Sequence, residues 1–220
     1  MTRMAEGARH WLIPLGAEPG EYDALLRSLD DEQRVRAARI AEPGRRAAWV
    51  AAWARTRRHL GAYLDCRPED IRFVRDAWGK PHLSGIPVHF NLSHSGDWCL
   101  LAVNRRHPVG ADLERWREGL DMARLARRCF SSAERACWES LPENARTPAF
   151  FQLWTCKEAF AKAVGRGIQI GLSRCEFDMS GEPRLVAAPP GCGVAEGWRI
   201  RILPPAAGYS AALATFETNI

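Results

Sequence analysis

The stretches VGADLERW (Val109 to Trp116) and WTCKEAFAKAVGRG (Trp154 to Gly167) decide how this chain is read. The first lies in a segment, His107 to Trp116, that reads as a strand with Val109 and Leu113 as apolar members. Asp112 and Glu114 therefore leave one face while Leu113 leaves the other. The second belongs to a helical run from Pro148 to Val164, along which Phe151, Trp154, Glu158, Lys162 and Gly165 recur at three- and four-residue steps and share one stripe. Glu158 can then meet the two strand carboxylates in a single groove. A few carboxylates, with the remaining positions left to water and substrate phosphate, are how Mg²⁺ is held where a phosphate ester is handled. Each piece also has a plain alternative: an Asp-x-Glu pair on a strand face is usually just solvated, and a Glu and a Lys four apart usually make a surface pair.

The surroundings weigh against the plain alternatives. NLSHSG (Asn91 to Gly96) and Gly79-Lys80-Pro81 lie upstream, and Gly165-Arg166-Gly167 closes the helix. Taken in order, HFNLSHSGDW, PVGADLERW, CFSSAE and LWTCKEAFAKAVGRGI match the ordered motifs of the 4′-phosphopantetheinyl transferases. The chain resembles the long, surfactin-type class of that family, which carries a WxxKEA helix. The named motifs run from about Gly79 to Ile168, and the resemblance extends more loosely over the whole chain.

The resemblance implies an α+β fold of two similar α/β halves in tandem, a pseudo-dimeric arrangement with the active site in the cleft between them. Residues 1–105 would form the half that binds coenzyme A phosphates, and residues 106–220 the half with the metal site and catalytic helix. It implies transfer of the 4′-phosphopantetheine arm of coenzyme A to a serine of an apo acyl, peptidyl or aryl carrier protein, with Mg²⁺ and release of adenosine 3′,5′-bisphosphate. Carried over residue by residue, Asp112, Glu114 and Glu158 form the metal set, and Glu158, Asp112 and Lys162 the catalytic set. Arg45, Arg46, Lys80, Ser93, His94 and Lys162 are the coenzyme A contacts, with Arg36 and Arg39 less secure. Glu158 and a water remain alternative bases for the carrier serine, because a carboxylate committed to Mg²⁺ is a poor base. Gly110-Ala111 stands where the family usually has a β-branched residue, and Gln33 where some members are basic.

Composition sets the outer limits. The chain has 220 residues, 46% apolar, with nine Trp, enough to bury a substantial core. Its seven cysteines show no CxxC or Cys/His ligand spacing, so a disulfide framework or zinc site is not expected and a reducing cytoplasm is. No export signal is read near Met1 and no run approaches a membrane span, so no membrane partner is expected. A monomer is the expected state, although nothing in the sequence fixes the oligomeric state. The net charge of +5 favours anionic partners, and the arginines cluster between Arg34 and Arg58. A solvated basic helix face, a nucleic-acid patch and a cradle for coenzyme A phosphates are the three readings of that cluster. The lack of a stacking platform or helix-turn-helix pattern argues against nucleic acid as a partner. A catalytically silent coenzyme A-binding relative is the other alternative. Arg127, Arg128 and Phe130 are the candidate docking edge for the carrier, with an ordinary helix end that puts Phe130 in the core as the equal alternative; the carrier's pathway (fatty acid, polyketide, nonribosomal peptide or lysine) stays open.

Overall fold

A computed structural model describes residues 7–217, so the N-terminal reading at Met1 lies outside the described residues. The element order runs twice through one series. The first pass is β1 (Arg9–Pro14), α1 (Glu21–Arg27), α2 (Asp31–Ala38), α3 (Pro43–Leu64), β2 (Phe73–Arg75), β3 (Pro81–Leu83), β4 (His89–Ser95) and β5 (Trp98–Asn104). The second is β6 (Val109–Arg115), α4 (Met122–Cys129), α5 (Ser132–Ser140), α6 (Glu143–Val164), β7 (Glu176–Asp178), β8 (Arg184–Ala187), β9 (Trp198–Leu203) and β10 (Tyr209–Phe216). Each pass is a strand, three helices, a short hairpin and a longer hairpin. The main sheets repeat as well: β1-β5-β4 in the first and β6-β10-β9 in the second, all antiparallel, with the last strand in the centre of each. These are the two similar α/β halves expected, although the sequence of one half does not display the other.

Local chemistry starts and stops the helices where the chain needs them. Asp30 and Gln33 form a reciprocal capping box at α2, and Ser131 and Glu134 do the same at α5, in each case satisfying N–H groups that the first turn leaves free. Pro43 opens α3 behind the Glu42 carboxylate, and Gly165 closes α6 in the left-handed region at φ 85°. The long helix α6 starts at Glu143, ahead of the expected Pro148, and carries that proline inside it. Arg146 anchors the early turns, donating to the carbonyls of Leu141 and Glu139 while its own carbonyl accepts from Trp138 Nε1. Gly79-Lys80-Pro81 leads into β3, which pairs Leu83 with Phe73.

Alternation along the strands builds three apolar layers. Cys99, Leu101 and Val103 of β5 face α3, with Ile13, Leu60 and Phe90. Leu100 and Ala102 face the opposite way and meet Val109, Ala111, Leu113 and Leu213, so the two sheets share a core. Ala212 and Ala214 of β10 turn toward α6 with Phe160 and Trp198. The order is helix, sheet, sheet, helix. No helix among the described residues is long and apolar enough to cross a membrane.

Among the described glycines, the closest approach of neighbouring backbone is at Gly110, between α6 and β6. A Cβ placed on Gly110 would stand 2.0 Å from the Ala159 carbonyl oxygen and 2.3 Å from the Ala163 nitrogen, both helix backbone that cannot rotate away. Only glycine admits the helix this close. The small residue that departs from the family pattern is thus a seat for α6. Gly110→Ala should lower stability by at least about 1–3 kcal/mol, as overpacking does, and the melting temperature by several degrees. Gly181→Ala, with nothing within 4 Å of the added carbon, should melt with the wild type. Thermal melts of the two variants that coincide would remove the seat.

Candidate active site

Gly110, Asp112 and Glu114 leave the same face of β6, and the seat at Gly110 brings Glu158 and Lys162 of α6 onto that face. Asp112 is 2% exposed. Its Oδ1 accepts from Lys162 Nζ at 2.5 Å and from Ser93 Oγ at 2.9 Å, and Lys162 Nζ also donates to Ser93 Oγ at 3.0 Å. Glu114 accepts from Ser95 Oγ at 3.1 Å and lies 3.6 Å from Arg117. Asp112 Oδ2 is buried and has no hydrogen-bond partner. Burial, reinforced by the Asp112 charge, pushes the Glu158 carboxyl up to about 7 and raises that of Glu114. Burial opposes the charge on Lys162, yet Asp112, Glu158 and Glu114 together hold its pKa above the ordinary lysine value.

Three carboxylates thus crowd around one ammonium. Among the described residues no group of three or more His, Cys, Asp or Glu stands ready-made around a metal position. The expected triad is within electrostatic reach of itself without being closed around a cation, because Lys162 occupies the Asp112 oxygen that faces the helix. The donors present fit a hard divalent ion: they are all oxygen, one is buried without a partner, and the other two carboxylates resist ionisation for want of positive charge. Lys162 therefore differs from the expected free phosphate-binding point charge.

Beside this cluster a cavity of about 340 Å³ is lined by Arg36, Arg45, Trp49, His94 and Gly96, with Leu15, Ile40 and Ala48 as its apolar wall. Burial and the charges of Lys162 and Arg45 hold the His94 pKa below its ordinary value, which an anion in the cavity would reverse. Arg46 does not line the cavity, since its Nε donates to the Ile40 carbonyl at 2.8 Å and braces the turn between α2 and α3. Lys80 is also used elsewhere: its ammonium donates at 2.6 Å to the Lys162 carbonyl and caps the C-terminal end of α6. Burial lowers its pKa to about 8.

Several residues do work that the sequence did not announce. Arg57 is buried and bonds Asp30, Gln33 and the carbonyls of Pro68 and Ile71, which accounts for Gln33 as a structural partner. Arg55 reaches the Pro14 carbonyl and Glu21. Lys157, beside Glu158 in the motif, points away from the site into an ion pair with Glu134 at 2.7 Å, the two side chains being 0% and 2% exposed. It also donates to the Leu172 and Cys175 carbonyls, while Glu134 accepts from the Phe177 N–H. Phe130, expected on a docking edge, is 4% exposed and packs on Phe150 and under the Lys157 ammonium; Arg127 and Arg128 are on the surface. Part of the signal for Lys157 was present in the sequence, since successive helical residues point about 100° apart and a lysine next to the site glutamate lies off its stripe.

The 4′-phosphopantetheinyl transferase superfamily model matches residues 108–214. The 4′-phosphopantetheinyl transferase HetI of Nostoc sp. is 36% identical over 174 residues, 76% of this chain and 73% of that protein. A 4′-phosphopantetheinyl transferase of Bacillus subtilis is 33% identical over 163 residues, 72% of this chain and 69% of that one. The transferase psf-1 of Bacillus pumilus is 46% identical over 106 residues, 48% and 44% of the two chains. The matched span includes both carboxylate elements just described, and the chain belongs to the 4′-phosphopantetheinyl transferase superfamily.

The electrostatics of the cluster carry a stability signature. A Glu158 carboxyl held near 7 when folded, against 4.5 in the unfolded chain, binds its proton more tightly in the native state, so this group's contribution to stability falls as pH rises from about 4.5 through 7. In EDTA, wild-type melting temperature should decline across that window relative to Glu158→Gln, and added Mg²⁺ should recover it most at pH 8. Parallel melting curves for the two proteins would show that Glu158 is not held protonated.

Proposed function

We propose that this protein transfers the 4′-phosphopantetheine arm of coenzyme A to a serine hydroxyl of an apo carrier protein and releases adenosine 3′,5′-bisphosphate. The observation that carries the reading is the junction of an anion cavity with a carboxylate cluster that contains an unpartnered buried oxygen, on elements of a chain that belongs to this family. Residues 1–105 supply the phosphate cradle and residues 106–220 the carboxylates. Arg45, Arg36 and His94 hold phosphate groups of coenzyme A, the guanidinium suiting a terminal phosphate through paired N–H donors. Asp112, Glu114 and Glu158 hold Mg²⁺, which supplies neutralisation of charge on the pyrophosphate. Lys162 and Ser93 keep Asp112 oriented and stand within reach of an arriving phosphate oxygen. In the transfer the serine oxygen bonds to the phosphorus bearing pantetheine, the bond from that phosphorus to the bridging oxygen breaks, and the serine proton leaves. Glu158 and a water are the two candidates to receive it, the water being favoured while Glu158 is committed to Mg²⁺, since a metal-bound carboxylate is a poor base.

The two alternatives lose ground for specific reasons. A nucleic-acid surface would need the arginine cluster exposed, whereas Arg55 and Arg57 are buried and Arg46 is tied to a carbonyl. A silent coenzyme A-binding relative would have no need of three carboxylates gathered at one place, with Glu114 and Glu158 buried at a cost to their ionisation. A soluble monomer acting in the cytoplasm completes the reading.

Incubation with coenzyme A, Mg²⁺ and an apo carrier protein should raise the intact mass of the carrier by one phosphopantetheine arm. Asp112→Asn should reduce that rate by at least about a hundredfold while melting normally. An unchanged carrier mass with wild-type protein, across acyl and peptidyl carriers, would sink the transfer reading. For the cradle, Arg45→Ala and His94→Ala should each weaken coenzyme A binding by about tenfold or more in calorimetry, since each loses a charge-assisted phosphate contact. Binding of dephospho-coenzyme A should change little. Equal losses for the two ligands would move the 3′-phosphate away from these residues.

A further inference from the structure

β4 and β6 are both edge strands of their sheets, and they lie side by side without sharing a ladder. Alternate N–H groups of an edge strand point away from its neighbour and must find other acceptors or water. In β6 those acceptors are side chains. Asn91 Oδ1 accepts from the Ala111 N–H at 2.8 Å, Ser93 Oγ from the Leu113 N–H at 3.3 Å and Ser95 Oγ from the Arg115 N–H at 3.0 Å. The separation is 20 residues in all three, so the strands run in the same direction and the motif N-x-S-x-S reads β6 in steps of two.

The serines then turn to the carboxylates. A hydroxyl has one proton and two acceptor sites. Because Ser95 Oγ accepts from Arg115 N–H, its proton is free to go to Glu114 Oε2, 3.1 Å away; Ser93 Oγ, accepting from Leu113 N–H and Lys162, donates to Asp112 Oδ1 at 2.9 Å. Each serine therefore bridges one acidic side chain of β6 to the backbone N–H of the residue after it. That short bridge fixes the carboxylate against its own strand. For Asp112 it also fills Oδ1 and leaves Oδ2 as the free oxygen.

We propose that Asn91, Ser93 and Ser95 form a positioning ladder for the metal carboxylates, with Ser95 as the residue that orients Glu114. Asn91 sets the register next to Gly110, and the serines hold the two acids at one spacing. The inference rests on the metal reading of Asp112, Glu114 and Glu158, and it assigns Ser95 no contact with coenzyme A or the carrier.

The test uses the full chain and Mn²⁺ as probe, titrated by calorimetry, together with amide hydrogen exchange followed by NMR. Ser95→Ala should weaken Mn²⁺ binding about tenfold, as losing an outer hydrogen bond to a metal ligand does, and should speed exchange at the Arg115 amide while Ala111 stays protected. The Mg²⁺ concentration for half-maximal transfer should rise by the same factor, with kcat recovered at saturating Mg²⁺. Ser95→Thr, which keeps the hydroxyl, should restore both affinity and protection, and Ser95→Val, which matches threonine in shape, should not. The threonine and valine pair decides the question even if the alanine variant folds poorly. Wild-type affinity for Mn²⁺ in Ser95→Val, or failure of Ser95→Thr to restore binding, overturns the ladder while leaving the metal site standing. No Mn²⁺ binding by the wild type overturns the metal reading and the ladder with it.

Discussion

The approach of α6 to β6 over Gly110 is the constraint on which the site depends. Ala159 and Ala163 straddle that glycine through their backbone, and the residues immediately before them are Glu158 and Lys162. Helix position along the strand is thereby fixed to within the clearance of a missing side chain. Lys162 can then close on Asp112, two residues along β6 on the same face. The alanines on this side, Ala159 and Ala163 of α6 with Ala212 and Ala214 of β10, are small and buried in one core and let the helix lie close. A larger residue at any of these places would push the charged groups apart before it exposed any core, since packed interiors move as rigid units.

Lys157 and Glu158 show how one dipeptide serves two purposes. Lys157 faces the interior and is fully answered: a carboxylate partner, two main-chain carbonyls and two aromatic rings, Phe130 and Phe177, surround its ammonium. A buried pair like this one is costly to break from one side, because the remaining charge has no water. It ties α6 to the start of α5 and to the chain leading into β7, and so steadies the helix from behind. Glu158 faces the cleft and is unanswered. Its repulsion from Asp112 and Glu114 is tolerated only because the seat and the Lys157 anchor hold the helix in place, a local cost of the sort expected where a site awaits a ligand.

What could be read from the chain was what periodicity and capping dictate. The two-residue spacing of Asp112 and Glu114 and the stripe on α6 follow from geometry internal to one element and stand on β6 and α6 as those signals put them, although α6 begins at Glu143, ahead of the expected Pro148. The destinations of long side chains could not be read in that way. Arg46, Arg57 and Lys80 end on carbonyls contributed by other segments, so only the tertiary fold says which cation is spent on structure and which remains for a ligand. Phe130 looked exposable because it follows two arginines at a helix end, yet the chain bends there and carries it under Lys157. The repeat was hidden for a different reason: it is held in element order and strand placement, which many sequences satisfy.

The repeat also explains why the site lies where it does. In each half the central strand of the sheet comes last, leaving the first strand and the penultimate one at the edges. Only residues 105–108 separate β5 from β6, and Asn104 Oδ1 accepts from the Arg106 and His107 N–H groups to turn the chain within that span. The second sheet is consequently delivered against the first, with the β6 edge lying along the β4 edge. The β6 edge, which would otherwise invite another chain, is satisfied by side chains of β4 instead. Tyr209 adds a brace, its hydroxyl accepting from the Asp97 N–H and leaving room for no side chain at Gly96. The carboxylates belong to one half and the cavity lined by Arg36, Arg45 and His94 to the β4–β5 turn and the helices of the other, and the seam between the edges is where the two come together.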